Sequence, residues 1–376
     1  MEILGIDIGF GFTKATDGKQ DLVFKSVLGE ATDIQFREEM IAAGDADENH
    51  LQVEIDGKSY FVGELAERQS NVRFFTLDQG QFIAKFAKAF ALAAAAQLVK
   101  GFVPINLVTG LPIGFYREFK DELAKLLIGE HKVTLVDASG RREEKSISVN
   151  KVRVVPQPFG SLFNLMLNDL GEMSDKRLVK EKIGIIDVGF RTSDYTISDK
   201  MRYSERGSRT TDSGIARAFN VIATKLRESS GVNIELYRLY EAIDKGMIKI
   251  RGKEYDLKSI TEQIFSQLAT SIANEVDRLW VDDWDIDAMI ITGGGGAVLA
   301  EHLKPLLNGV IMETDPEHDM RLYNVRGYRK FGQHLWARGD APQDPETPET
   351  KSTVSASASG GVFSPESLQA LEHFTR

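Results

Sequence analysis

Cysteine is absent from the 376 residues. That excludes a disulfide framework, a thiolate zinc site and a cysteine nucleophile, and it suits a reducing cytoplasm. Histidine is scarce: the six, at 50, 131, 302, 318, 334 and 373, have no metal-ligand spacing and read as surface or packing residues. No stretch approaches the roughly 20 apolar residues of a membrane span. The most apolar one, 82–99, carries Lys85 and Lys88 around an unbroken run over 89–96, so it reads as a buried alanine-rich helix without membrane insertion. Basic clusters are missing too. The formal net charge is −10, and the densest basic run, Lys176 to Lys182, is interrupted by Leu178, Val179 and Glu181. It reads as a solvated connector, and direct nucleic-acid binding is not expected. The opening residues enter a strand pattern with no basic region before an apolar stretch, so secretion is not expected either.

What is present is an alternation of strand and helix patterns, which predicts an α/β architecture with apolar residues (42% of the chain) sufficient for two cores. Strands are expected over 2–8, 12–16 and 21–26 as a meander. A small insert over about 28–80 holds the acidic loop Asp45-Ala46-Asp47-Glu48 and a hairpin turning at Asp56-Gly57. A helix over 82–99, a strand over 105–109, a helix over about 115–127 and strands near 131–137 and 145–155 complete a first half. A second half opens at Ile183 with another hairpin. It continues through helices near 213–228, 233–245 and 257–280 and reaches a buried strand over 288–292. From 341 to 361 proline, serine, threonine, alanine and acidic residues lack apolar periodicity, which predicts a disordered linker. Ser364-Pro365-Glu366 then has the cap, proline and acidic pattern of a short helix start. Its Leu368, Leu371 and Phe374 form one apolar stripe, either a segment that folds on a partner or on the globular body, or a frayed tail.

The most informative feature is an internal echo. Ile6-Asp7-Ile8-Gly9-Phe10 recurs as Ile186-Asp187-Val188-Gly189-Phe190, each copy ending a strand in a hairpin. Glycine lets backbone N–H groups close around phosphate oxygens, and a strand-terminal aspartate faces the same space. Mg²⁺ needs only one or two carboxylates nearby, so Asp7 and Asp187 together suit a nucleotide-bound ion held largely through water. Gly11, Thr13 and Lys14 add a hydroxyl and an ammonium charge to the first turn; Thr192 and Ser193 add hydroxyls to the second. The alternative is two unrelated hairpins whose aspartates and glycines only form turns. A third cluster favours the site: the strand over 288–292 runs into Gly293-Gly294-Gly295-Gly296, with a helix expected from near Ala297, so that a base or ribose can lie on bare backbone. A dinucleotide-binding fingerprint fails, because too few residues follow Glu313, the candidate acid about 20 positions on, to complete such a fold.

These segments resemble the actin superfamily, and more narrowly the ParM/StbA-like bacterial and archaeal actins. Its two phosphate motifs look like Asp7 to Lys14 and Asp187 to Asp194, and its adenosine motif like Ile290 to Gly296. The two connecting segments look like Val155-Pro156-Gln157-Pro158-Phe159-Gly160 and Asn324-Val325-Arg326-Gly327-Tyr328. Order and spacing match over about 1–335. The resemblance implies a duplicated, ribonuclease H-like two-lobe ATPase fold, each lobe on a five-stranded sheet, with ATP (or GTP) and Mg²⁺ in the cleft. Lobe I would span 1–157, completed by about 324–338, and lobe II 158–323, with the linker and short helix over 339–376. Gln157 falls where relatives hold the attacking water. An amide is no base near neutral pH, so its expected role is to orient water for in-line attack, with Asp187 as the other catalytic residue.

Two departures stand out: Phe10 occupies a position where eukaryotic actin has a hydroxyl, and Arg191 replaces a common glycine and is expected to crowd the second turn. Thr109-Gly110-Leu111-Pro112 matches ParM-like relatives but reads mainly as a strand end and turn. Ser213-Gly214-Ile215 opens a helix whose N–H groups face the nucleotide in this reading.

The function so implied is a filament-forming ATPase, with self as partner and plasmid DNA moved through an adaptor protein reached by the C-terminal tail. Filaments that position an organelle or shape the cell are the neighbouring alternative. A small-molecule kinase on the same fold is the alternative of another class, though it calls for a catalytic aspartate where Gln157 stands.

Overall fold

The computed structural model describes residues 2–32, 50–312 and 319–336. The acidic loop at 45–48, Glu313 and the expected linker and helix over 339–376 lie outside the described residues.

The first strand, Glu2–Ile8, is buried along both faces, as a central strand covered by helices must be. Leu4 and Ile6 point into the core that includes the helix Lys88–Leu98. The alternate residue Gly5 lies against Val325 and Arg329 of the helix Tyr323–Trp336 on the other side. Phe12–Thr16 and Asp21–Lys25 add antiparallel on one flank; Ile105–Leu111 and Arg142–Pro156 add parallel on the other.

Five strands were implied for this lobe, yet its sheet has ten. The cause is the length of Arg142–Pro156. Its C-terminal part pairs with Ile105–Leu111, while its N-terminal part carries on past that neighbour and pairs antiparallel with Gly129–Val136. The exposed edge of Gly129–Val136 then accepts Gln52–Ile55, followed by Lys58–Val62, Leu28–Glu30 and Arg73–Phe74. The segment read as a small insert therefore continues the lobe I sheet. Its hairpin turns at Asp56 and Gly57, both at positive φ (51° and 73°), the geometry that matches strand twist.

Lobe II repeats the plan on five strands. Lys182–Val188 and Ser193–Asp199 form the hairpin, with Arg202–Tyr203 and Arg209–Thr211 on its outer side and Ala288–Thr292 parallel on the inner side. The registers correspond: Asp7 opposes Lys14 and Ile8 opposes Thr13, as Asp187 opposes Asp194 and Val188 opposes Ser193.

Three helical expectations shift: the segment 233–245 holds a 3₁₀ turn, Leu236–Leu239, before the short helix Tyr240–Lys245. The segment 82–99 is not one α-helix: Gln79–Phe82 leads through a π-helical turn, Ile83–Ala87, into Lys88–Leu98. The helix expected from Ala297 starts at Gly294, so three of the four glycines form its first turn. Glycine disfavours helix interiors by about 1 kcal/mol, but close packing decides here: a Cβ on Gly295 would stand 2.8 Å from Val188 and 2.9 Å from the Gly189 carbonyl oxygen.

The lobes are joined by the helices Phe159–Met166 and Tyr323–Trp336, which have their own core, with the Phe163 and Phe331 rings stacked 4.2 Å apart. At their crossing, Gly327 meets the Gly160 carbonyl so closely that any side chain would collide with it. Among the described residues no helix is long and apolar enough to cross a membrane.

Candidate nucleotide and metal site

A cleft of about 1210 Å³, solvent at its mouth included, opens where the two hairpin turns face each other. The turns share one backbone design: the Gly9 N–H donates to the Phe12 carbonyl at 3.2 Å, and the Gly189 N–H to the Thr192 carbonyl at 2.8 Å. A Cβ on Gly9 would lie 2.7 Å from the Phe12 oxygen, and one on Gly11 would lie 2.9 Å from the Phe190 ring, so both positions require glycine.

Asp7 and Asp187 end the central strands and are each 2% exposed. Asp7 Oδ2 receives Lys14 Nζ at 2.8 Å, and its Oδ1 receives Gln157 Nε2 at 3.3 Å. A carboxylate only accepts, so this contact fixes the amide with Nε2 toward Asp7 and leaves Oε1 free to accept from water. Asp187 Oδ2 receives Asn324 Nδ2 at 2.7 Å, while its Oδ1 is buried without a hydrogen-bond partner. Burial pushes the Asp187 carboxyl up to about 6; the Asn324 hydrogen bond opposes this, the Asp7 charge adds to it, and Lys14 opposes it. No cluster of three or more metal-binding acids or histidines is present among the described residues. Mg²⁺ does not need one, and an unpartnered carboxylate oxygen beside a second carboxylate is the donor set it uses next to phosphates.

Gly9, Gly11, Lys14, Gln157, Gly189, Thr192, Gly293, Gly294 and Gly295 line this cleft together with both aspartates. Three expected residues do not. Thr13 is fully buried, its hydroxyl 2.9 Å from Ser26 Oγ, which in turn donates to the Gly9 carbonyl at 2.6 Å. Ser193 Oγ donates to the Ser213 carbonyl at 2.9 Å, and Gly296 faces Ile291 instead. Strand alternation is the reason for the first two: Lys14 and Thr192 turn to the cleft, so the adjacent Thr13 and Ser193 turn inward and brace the turns from behind.

Other lining residues were not assigned a site role from sequence. Gly110, Leu111 and Pro112, read as a strand end, form part of the wall, as does Asn324. Ile215, expected at a helix start with its N–H groups toward the nucleotide, also lines the cleft, but the Gly214, Ile215 and Ala216 N–H groups donate to the Arg191, Gly189 and Phe190 carbonyls and brace the second turn instead. Tyr240 packs on Phe12 (4.6 Å) and Phe190 (5.3 Å), and its hydroxyl is buried without a partner. The two departures meet each other: the Arg191 guanidinium lies 5.4 Å from the Phe10 ring centroid and 5.2 Å from that of Phe115. Arg191 does not crowd the turn but reaches across the cleft, with Nη1 buried and unpartnered and Nη2 3.6 Å from Asp212.

Asp194 carries a different link. Its Oδ1 accepts the Ile113 N–H at 3.0 Å and the Thr210 hydroxyl, and Thr210 Oγ1 accepts the Gly114 N–H at 2.7 Å. The lobe I helix Ile113–Leu127 has no side-chain cap of its own, so lobe II caps it. Burial pushes the Asp194 carboxyl up to about 7, the Thr210 and Ile113 hydrogen bonds opposing and the Asp187 charge adding.

Comparison with known proteins agrees with this geometry. Residues 5–160 match the family model of the N-terminal domain of actin-like proteins, and residues 185–305 match that of the C-terminal domain of archaeal MreB-like actin homologues. A 15-stranded ParM filament structure from Clostridium botulinum is 26% identical, covering 88% of this chain and 99% of that one, with a TM-score of 0.75. A non-polymerisable quadruple mutant of the pCBH ParM is 27% identical over the same shares, with a TM-score of 0.73. An archaeal actin homologue in complex with ADP shares the fold at 19% identity, covering 89% of this chain and 99% of that one, with a TM-score of 0.71. No curated protein matches by sequence. With paired hairpin turns, a glycine-started helix and two crossing connectors in the matching order, the chain belongs to the actin-like ATPase superfamily.

Proposed function

We propose that this chain is a Mg²⁺-dependent ATPase that assembles with itself into filaments, and that the filaments segregate plasmid DNA through an adaptor protein. The observation that carries the enzymatic half is the pair of equivalent turns presenting Asp7 and Asp187 to one cleft, with Asp187 Oδ1 left unpartnered. Lys14, the Gly11 backbone and the Thr192 hydroxyl of the two turns would hold the phosphates, with a base or ribose lying on Gly293 to Gly295; Asp7 and Asp187 would hold the ion through water. Bound magnesium would neutralise charge on the phosphates. Gln157, its amide fixed by Asp7, orients a water through Oε1, and Tyr240 and Phe190 pack against the first turn at Gly11. The nucleotide is ATP or GTP.

The ParM filament structure supports the assembly half. The division proposed for the chain is lobe I over 1–157 with 324–338, lobe II over 158–323, and a tail over 339–376 that recruits the adaptor in the cytoplasm. The test is ultracentrifugal pelleting with and without ATP and Mg²⁺, followed by electron microscopy and phosphate release. Nucleotide-dependent pellets containing filaments are expected. Monomers at all micromolar concentrations would overturn the assembly claim, and phosphate transferred to a small acceptor instead of water would favour a kinase. Loss of a partition plasmid on deletion of the gene tests the cargo.

A further inference from the structure

A second concave site lies away from the cleft, where the tip of the 16–21 hairpin meets the end of the helix Phe159–Met166 and the helix Tyr323–Trp336. Its charges do not balance. Lys19, Arg326, Arg329 and Lys330 line it against only Asp21 and Asp169. Arg326 spends Nε (3.2 Å) and Nη2 (2.6 Å) on the same oxygen, Asp21 Oδ2, while its Nη1 is buried with no partner. Arg329 gives Nη1 to the Asp169 carbonyl at 2.6 Å, its carboxylate standing off at 3.9 Å, and Nε is buried with no partner. Lys330 Nζ donates to the Asn164 carbonyl at 2.9 Å. Its pKa is held below the usual lysine range, mainly by burial; Asp169 opposes this, and Arg326 and Arg329 add to it. At Gly18, φ is 88° and a Cβ would stand 2.8 Å from Arg329 Nη2, so the loop leaves room for the guanidinium at a position where only glycine fits easily.

Two guanidinium groups, each with an N–H deprived of both water and an acceptor, in a concave polar pocket with two ammonium groups, are the donor set of an oxyanion site. Several donors on separate side chains call for several acceptor oxygens, which a tetrahedral phosphate offers and a single carboxylate does not. We propose that this pocket binds a phosphate group, with Arg326 and Arg329 as its principal donors and Lys19 and Lys330 as supporting charges. The site joins the lobe I hairpin to the helices that connect the lobes, so occupancy there ties the hairpin to that junction. It stands on observations separate from those at the nucleotide cleft.

The test is binding of inorganic phosphate by the full chain, read by calorimetry and by thermal shift, with the cleft saturated by ADP and Mg²⁺. Pyrophosphate run beside it distinguishes a free-phosphate site from one built for a longer phosphate ester, which would bind pyrophosphate more tightly. Binding that survives ADP and weakens with salt is expected. Arg329→Gln should weaken it about tenfold, a charge-assisted hydrogen bond being lost. Lys19→Gln, at an exposed position that leaves the fold intact, should weaken it by roughly two- to threefold. Lys14→Ala in the cleft should leave it unchanged. Phosphate binding abolished by ADP, or equal in wild type, Arg329→Gln and Lys19→Gln, would overturn the proposal, and so would the absence of any binding at millimolar phosphate.

Discussion

Lys14 Nζ stands 2.8 Å from Asp7 Oδ2 across the first hairpin, and the matching position of the second hairpin holds an acid, Asp194, opposite Asp187. One backbone design thus carries two charge patterns. Lobe I neutralises its aspartate within its own hairpin. Lobe II leaves Asp187 Oδ1 unpartnered and uses Asp194 to hold the other lobe.

Lys14→Ala is expected to lower nucleotide affinity at least tenfold, since it removes the ammonium charge nearest the phosphate turn. It should also destabilise the ligand-free protein by about 3 kcal/mol, because Asp7 remains buried without its ion pair. Fluorescent-nucleotide titration and chemical denaturation measure the two effects separately.

Asp187→Asn should abolish Mg²⁺-dependent hydrolysis yet raise stability. The sign follows from linkage: a carboxyl raised from 3.8 to about 6 favours the folded state below pH 4 and loses that contribution as pH rises through 6. At pH 7.5 the buried charge is a cost, so the neutral amide should stabilise the ligand-free protein by on the order of 1–3 kcal/mol. A lower melting temperature for this variant at pH 7.5 would contradict the assignment. Gln157→Ala, by contrast, should preserve nucleotide affinity and slow hydrolysis about a hundredfold, as seen in single-turnover assays.

Arg191→Ala should weaken triphosphate binding more than diphosphate binding, by roughly tenfold, because it removes a cleft-lining charge whose Nη1 has no partner. Arg191→Lys should recover little of this, since an ammonium cannot lie flat between the Phe10 and Phe115 rings. Paired titrations with a non-hydrolysable triphosphate and ADP read the ratio; equal losses for both ligands would remove Arg191 from the phosphate site.

Asp194→Asn keeps an acceptor for Ile113 and Thr210 but removes the titration. The wild-type carboxyl, raised from 3.8 to about 7 with Asp187 as its charged neighbour, should contribute stability fully below pH 4 and lose it as pH rises through 7. Denaturation midpoints between pH 5 and 8 should therefore fall more steeply in wild type than in Asp194→Asn. Parallel curves would show that Asp194 does not carry this pH dependence.

Much of this was legible in the sequence because the echo is local. Asp7-Ile8-Gly9 and Asp187-Val188-Gly189 state both turns within a few residues, and Ala288–Thr292 with its glycines states the third wall. What stayed hidden depends on long-range pairing. Nothing near Asn324 announces its bond to Asp187, and nothing near Asp194 announces that it caps a helix 81 positions away. The ten-stranded sheet was missed for the same reason, since edge pairing between Gln52–Ile55 and Gly129–Val136 leaves no signature in either segment. Thr13 and Ser193 were misplaced because side-chain direction depends on strand phase, which a one-residue shift reverses.

The contact between Gly160 and Gly327 sets how closely the two connecting helices approach. Bare main chain against bare main chain leaves no side chain to yield at this crossing, so the two helices are held at one separation. Even a single methyl group at either position acts as a wedge, and the crossing could keep it only by forcing the two helices apart.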